Sequence, residues 1–208
     1  MQNKMYYNLS TLSQMDIYLF KQGSYTKMYE KFGAHPMTHK GKKGVHFAVW
    51  APNAKSVCVR GDFNNYKIDA HPLQLRSDDS GIWEGFIEHV SIGLTYKYHI
   101  VSLFHNIVHE KSDPFAFYSE VAPKSASRIY ELDNYKWNDK EWMKIRHKNN
   151  ACDAPISVYE MHVGSWRRNP EEDNRYLTYK ELAEELVPYL KEMNYTHVEF
   201  MPLSEYPY

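Results

Sequence analysis

The sequence predicts a mainly β protein: an antiparallel β-sandwich followed by a strand–helix–strand unit that opens a larger, parallel domain. Three observations carry this reading. Between residues 44 and 131, short alternating segments are separated by turn residues, the pattern of a two-sheet antiparallel module. From residue 156 the pattern becomes strand, amphipathic helix, strand, which implies a parallel pair. The composition, 43% hydrophobic and 25% charged, is that of a folded chain.

The elements follow in order. Residues 10–22 read as a short helix, with Ser10 or Thr11 as cap, Leu12, Met15, Leu19 and Phe20 at helical spacing, and Gly23 as stop. It is expected to pack as an appendage. Strands are expected at 44–50, stopped by Pro52, then at 56–60, 82–88 and 95–101, with a turn-rich stretch at 61–65. Residues 132–155 are polar, contain Trp137 and Trp142, and read as a linker. A strand candidate at 156–163 precedes Thr178 and Glu181, which have the spacing of a capping box. The helix they open carries Leu182, Ala183, Leu186, Val187, Leu190 and Met193 on one face. Pro188 inside it removes the bond to the Glu184 carbonyl and is expected to kink it. Asn194 suits a left-handed cap, and 196–202 is the second strand. One parallel pair under one helix leaves a face and two edges open, whereas parallel sheets are covered on both sides. The unit therefore reads as the start of a domain, and Val158, Val198, Phe200 and the helix are expected to leave apolar surface exposed. The division expected is 1–28 helical extension, 29–131 sandwich, 132–155 linker and 156–208 parallel unit.

The 208 residues carry 25 Lys and Arg against 26 Asp and Glu. This balance gives no general attraction to nucleic acid or to an anionic membrane. No apolar run approaches the roughly 18 residues of a membrane span, and residues 1–5 show neither an apolar run nor a small-residue cleavage site, so no secretory signal is expected. Two cysteines, Cys58 and Cys152, are too few for a disulfide framework and fit a cytoplasmic location. There is no phosphate-binding glycine loop, Gly41-Lys42-Lys43-Gly44 having the wrong spacing, and no Gly-x-Ser-x-Gly elbow. The pairs His35/His39 and His105/His109 are four residues apart outside any helical pattern. On an extended strand that is about 13 Å, too far for one metal ion, so neither metal nor cofactor is expected. Of the carboxylates Glu160, Glu171, Glu172, Asp173, Glu199 and Glu205, no pair can be identified as flanking a scissile bond. Glu160 and Glu199 read as structural residues of their strands. The chain is rich in aromatics, with 18 Tyr, 9 Phe and 5 Trp. A tyrosine ring with a polar tip suits the apolar faces and hydroxyl rims of sugars, and equally suits a core with a wet edge.

Several stretches resemble the amino-terminal part of bacterial glycogen branching enzymes. They are Tyr29-Glu30-Lys31-Phe32-Gly33-Ala34-His35, Phe47-Ala48-Val49-Trp50-Ala51-Pro52-Asn53-Ala54, Gly61-Asp62-Phe63-Asn64, Gly81-Ile82-Trp83-Glu84, Tyr96-Lys97-Tyr98 and Asp113-Pro114-Phe115-Ala116. The similarity continues through residues 155–166, 182–193 and 197–207 and covers the chain from about residue 15. Gly164-Ser165-Trp166 resembles branching enzymes and not the debranching enzymes or trehalohydrolases with similar sandwich modules. The resemblance implies an immunoglobulin-like carbohydrate-binding module followed by the first βαβ unit of an α-amylase-type (β/α)₈ barrel. It implies cleavage of an α-1,4-glucan and transfer of the piece to a 6-hydroxyl by retaining double displacement, without metal. In that family the reactive carboxylates lie on later barrel strands, so no catalytic residue is assigned here and this chain alone is expected to be inactive. The implied partner is α-1,4-glucan or glycogen, with no nucleic acid and no membrane; the oligomeric state is left open.

Three residues are implied in glucan contact. Tyr66 follows the turn at Asn64-Asn65, Lys97 lies on a nearby strand, and Trp166 lies just past the first barrel strand. Trp50 and Trp83 are expected to pack in or between the sheets. The second stacking Trp of such modules has no clear counterpart around Asn106-Ile107. A stand-alone glucan-binding or scaffolding module is the alternative from another class, and a debranching or trehalohydrolase relative is the alternative within the family.

Overall fold

The computed structural model describes residues 3–133 and 135–203; Glu205 and the end of the 197–207 stretch lie outside them. The chain divides into two compact units, Met1–Lys136 and Trp137–Tyr208.

Among its described residues the first unit has ten strands: β1 (Met5–Tyr6), β2 (Gly33–His39), β3 (Lys42–Trp50), β4 (Ala54–Gly61), β5 (Gln74–Leu75), β6 (Ile82–Glu88), β7 (Thr95–Ser102), β8 (Val108–Lys111), β9 (Tyr118–Ser119) and β10 (Ser127–Arg128). One antiparallel sheet runs β1-β6-β3-β2, with β5 on β6; the other runs β4-β7-β10-β9, with β8 on β7. The four long strands expected from alternation are present. The shorter ones escape the pattern because two-residue strands have no period to read, and β2 is interrupted by Pro36.

Alternation decides which side chains meet between the sheets. Val45, Phe47 and Val49 of β3 share one buried cluster with Val57 and Val59 of β4 and with Tyr96 and Tyr98 of β7. Phe47 meets the Tyr96 ring edge-on at 5.2 Å. Trp83 joins this core, but Trp50 does not, since one step beyond the inward Val49 it faces outward and is 55% exposed. Its indole Nε1 donates to the Ser80 carbonyl at 3.1 Å and its ring meets Phe20 edge-on. Tyr96 and Tyr98 carry hydroxyls into the interior, and both donate to Asp113 Oδ2, at 2.7 and 2.9 Å. Asp113 Oδ1 accepts from the Phe115 N–H, while its own N–H donates to Ser127 Oγ, each at 2.8 Å. Burial pushes the Asp113 carboxyl up from the usual range, although its three donors favour the ionised form.

Helix α1 (Gln14–Lys21) begins later than the sequence suggests. Ser13, not Ser10 or Thr11, is its cap, because Asp16 three residues on completes the reciprocal box. The Ser10 hydroxyl instead donates to Glu84 at 2.8 Å. Gly23 stops the helix with φ +69°. Leu12 and Ile17 cluster with the buried Phe32 and Ile82. The histidines have local duties: His35 Nε2 lies 2.8 Å from the Phe32 carbonyl, and His39 meets Phe86 edge-on.

The second unit begins with helix α2 (Lys140–Asn149), inside the stretch read as a linker. It has no buried residue, so no apolar stripe announces it; good helix formers and a Lys144–Glu141 pair at 2.7 Å favour it locally. Then follow β11 (Val158–Met161), the four-residue α3 (Val163–Trp166), a small hairpin of β12 (Arg168–Asn169) and β13 (Arg175–Tyr176), α4 (Tyr179–Glu192) and β14 (His197–Phe200). Strands β11 and β14 pair in parallel, as the strand–helix–strand pattern predicts. Met161 is buried with Leu182 and Leu186 of α4. Asn194 takes the left-handed conformation after the helix, with φ +60°. Val158, Val187, Val198 and Phe200 remain exposed. Glu160 and Glu199 are register partners, both exposed, with like charges side by side.

The box at the start of α4 closes as the sequence indicates, with Thr178 Oγ1 accepting from the Glu181 N–H at 3.3 Å and Glu181 accepting from the Thr178 N–H at 2.7 Å. Arg175 adds a two-toothed pair to Glu181, which with the Thr178 bonds holds this carboxyl at about 2. Its folded pKa lies below the unfolded one. Its stabilisation is therefore complete above about pH 4.5 and is lost as the pH falls toward 2. Glu181→Gln should flatten that acid limb in the hydrogen-exchange protection of the α4 amides.

Candidate functional site: the outer face of the second sheet

Tyr96 and Tyr98 point into the core, so Thr95 and Lys97 stand on the opposite face of β7. Arg60 of β4 lies opposite Lys97 in the register. After β4 the chain turns sharply over Asp62–Asn64, and the Asn64 side chain staples that turn. Its oxygen accepts from the Gly61 N–H at 2.9 Å, and its amide donates to the Val59 carbonyl and to His71 Nδ1. Gly61 is required by close approach, since a Cβ there would lie 2.3 Å from the Thr95 carbonyl oxygen and 2.7 Å from the Phe63 ring.

The turn delivers Tyr66 to this face. Asn65 and Tyr66 both have positive φ, +51° and +55°, an uncommon state for a ring-bearing residue, which marks a position held by its surroundings. What holds it is a relay. Asp62 Oδ2 accepts from the Thr95 N–H at 2.6 Å and from its hydroxyl at 2.8 Å. The Thr95 hydroxyl proton is thus committed to Asp62, so the Tyr66 hydroxyl, 2.6 Å from Thr95 Oγ1, must donate. Arg60 Nε donates to the Tyr66 carbonyl at 2.5 Å. Partial burial, with Asp62 nearby, pushes the Tyr66 phenol up. The ring is half-buried, with its hydroxyl consumed.

Lys97 donates to Ser125 Oγ at 2.9 Å. Arg60 and His99 Nδ1 both reach Glu110, the latter at 2.6 Å, so β8 supplies a negative charge beside the Arg60 guanidinium. Tyr66 and Lys97 thus share one face. Trp166 belongs to the second unit, where its indole donates to the Tyr159 hydroxyl at 3.1 Å and its ring meets the Arg167 guanidinium at 4.4 Å and the Tyr189 ring at 5.9 Å. Sequence reasoning missed the Asp62–Thr95 relay. Asp62 stands in the quoted turn motif, but nothing in one dimension pairs it with a threonine 33 positions on. Among the described residues, no three His, Cys, Asp or Glu side chains group as a metal site, and no helix is long and apolar enough to cross a membrane.

A glycine-tight turn, a latched aromatic and a lysine on one sheet face lie within residues 31–116, the stretch that matches the carbohydrate-binding module 48 family (isoamylase N-terminal domain). Over these residues the chain is similar to that module. Over 199 residues, 96% of its length, it is 50% identical to the 1,4-alpha-glucan branching enzyme of Aquifex aeolicus, and over 204 residues it is 47% identical to that of Saccharophagus degradans. It is a relative of the 1,4-alpha-glucan branching enzymes, and it spans 31% and 28% of the lengths of these two. Among solved structures it resembles a putative alpha amylase from Salmonella typhimurium, with TM-score 0.56 and 22% identity, covering 84% of this chain and 25% of that one. It also resembles Klebsiella pneumoniae pullulanase complexed with maltotriose, with TM-score 0.57 and 23% identity, covering 83% and 17%. At such identities the likeness is one of fold.

Proposed function

We propose that this chain is the glucan-binding and barrel-opening part of a branching enzyme. The whole enzyme would cleave an α-1,4-glucan and transfer the piece to a 6-hydroxyl through a glycosyl-enzyme, the retaining course that two carboxylates support. On this reading the first unit is an immunoglobulin-like sandwich that holds glycogen chains in the cytoplasm, and β11, α4 and β14 open an α-amylase-type barrel. The observation that carries it is the 50% identity to a branching enzyme across nearly the whole chain. The exposed apolar residues around β11 and β14 favour it over a free-standing binding module, which would have no use for an uncovered parallel pair.

Tyr66 would stack on a sugar ring, with Lys97 donating to its hydroxyls, and Trp166 would line the substrate cleft of the whole enzyme. Catalytic carboxylates are assigned to parts of the relatives this chain does not span. In an iodine-stain assay with amylose, the 208-residue chain should show no branching, and activity there would overturn this assignment. In a glycogen gel the chain should be retarded, and Tyr66→Ala should abolish most of the retardation, with thermal melting checking that the fold is retained; equal mobility in gels with and without glycogen would refute glucan binding.

A further inference from the structure

The turn at 61–65 offers one stacking ring, Tyr66, and there is no tryptophan near residues 106–107. The register of the sheet supplies a second aromatic surface from elsewhere. Thr95, which latches Tyr66, is the register partner of Arg128 on β10, and Arg128 is the partner of Tyr118 on the edge strand β9. Register partners share a face, so Thr95, Arg128 and Tyr118 form a row across three strands, about 10 Å from end to end. Tyr118 packs against Tyr130 with ring centroids 5.7 Å apart at 56°. Both rings are open to solvent, at 52% and 43% exposure. The Arg128 guanidinium lies 5.8 Å over the Tyr118 ring and donates to the Gly93 carbonyl at 3.0 Å, which fixes it in the row. Beyond Tyr130 the surface dips into a cavity of about 470 Å³, lined also by Tyr29, Phe117, Glu30 and Glu131.

An isolated exposed tyrosine needs no explanation. Two that support each other, braced by an arginine and aligned with a latched third, form a track. Its rings offer flat apolar faces, and the arginine and carboxylates offer hydroxyl partners, the combination a pyranose requires. We propose that Tyr118 and Tyr130, with Arg128, form a second subsite for the same α-1,4-glucan chain, so that the module grips the interior of a long chain rather than a single terminal sugar. This rests on Tyr66 being a glucan contact.

The test is binding of maltoheptaose and maltotriose to the 208-residue chain, followed by calorimetry, for wild type, Tyr66→Ala, and Tyr118→Ala with Tyr130→Ala. Both tyrosines are surface residues, and thermal melting checks that the fold is retained. The double variant should bind maltoheptaose about tenfold more weakly, the loss expected when one stacked aromatic contact is removed, and bind maltotriose as the wild type does. Tyr66→Ala should weaken both. Unchanged maltoheptaose affinity in the double variant, with Tyr66→Ala still impaired, overturns the second subsite and leaves the glucan reading intact. No binding of either sugar by wild type overturns both.

Discussion

Asp113→Ala should lower the unfolding free energy by about 4 kcal/mol, because it strands two interior hydroxyls at about 1–3 kcal/mol each and also leaves the Phe115 N–H without its acceptor. Tyr96 and Tyr98 are fully buried, so no water can reach their hydroxyls without opening the core. Asp113→Asn should cost less, since an amide oxygen at the Oδ2 position still accepts both hydroxyls and only the Phe115 N–H loses its acceptor. A urea titration of the three proteins gives the ordering wild type, Asn, Ala. Equal midpoints for Ala and wild type would show that the carboxylate does not organise this core.

Acidification should destabilise the first unit well before its ordinary carboxylates titrate, through His46. This ring is fully buried, its Nε2 donates to the Leu9 carbonyl at 3.2 Å, and its Nδ1 has no hydrogen-bond partner among the described residues. Burial above all, with the charges of His35 and Arg76, holds its pKa down at about 4 against an ordinary 6.5; the Leu9 bond works the other way. The Glu84 carboxylate at 3.7 Å is therefore beside a neutral ring at neutral pH. Since the unfolded chain takes up the proton first, stability is complete above about pH 6.5 and declines as the pH falls to about 4. The loss approaches 3 kcal/mol over that window. His46→Gln keeps a donor for Leu9 and should remove this slope; parallel pH profiles of variant and wild type would assign the acid sensitivity elsewhere.

The long strands of the first unit were legible because their apolar residues meet between the sheets at alternate positions, and helix α4 because Leu182 and Leu186 lie on one buried stripe, which frames the parallel pair on either side of it. Trp50 shows how fine that reading must be: it belongs to a correctly placed strand, yet one step of alternation separates a core indole from an exposed one. Helix α2 buries nothing and left no stripe to read. At the candidate site, Tyr66 and Lys97 could be placed on the strength of the turn and strand motifs around them. The relay through Asp62 and Thr95, and the row through Arg128 to Tyr118, are products of strand register. Register depends on which residues face one another across a sheet, and a linear pattern of apolar residues specifies faces without specifying partners.

The latch on Tyr66 has a thermodynamic corollary. A loop tyrosine ordinarily samples several rotamers and must give them up when a flat ligand lands on it. Here Thr95 has already fixed the ring, and the left-handed backbone beneath it was accepted when the chain folded. Were Tyr66 to stack on a sugar as proposed, recognition here would be docking onto a rigid plate, with little freedom left to surrender at the moment of contact.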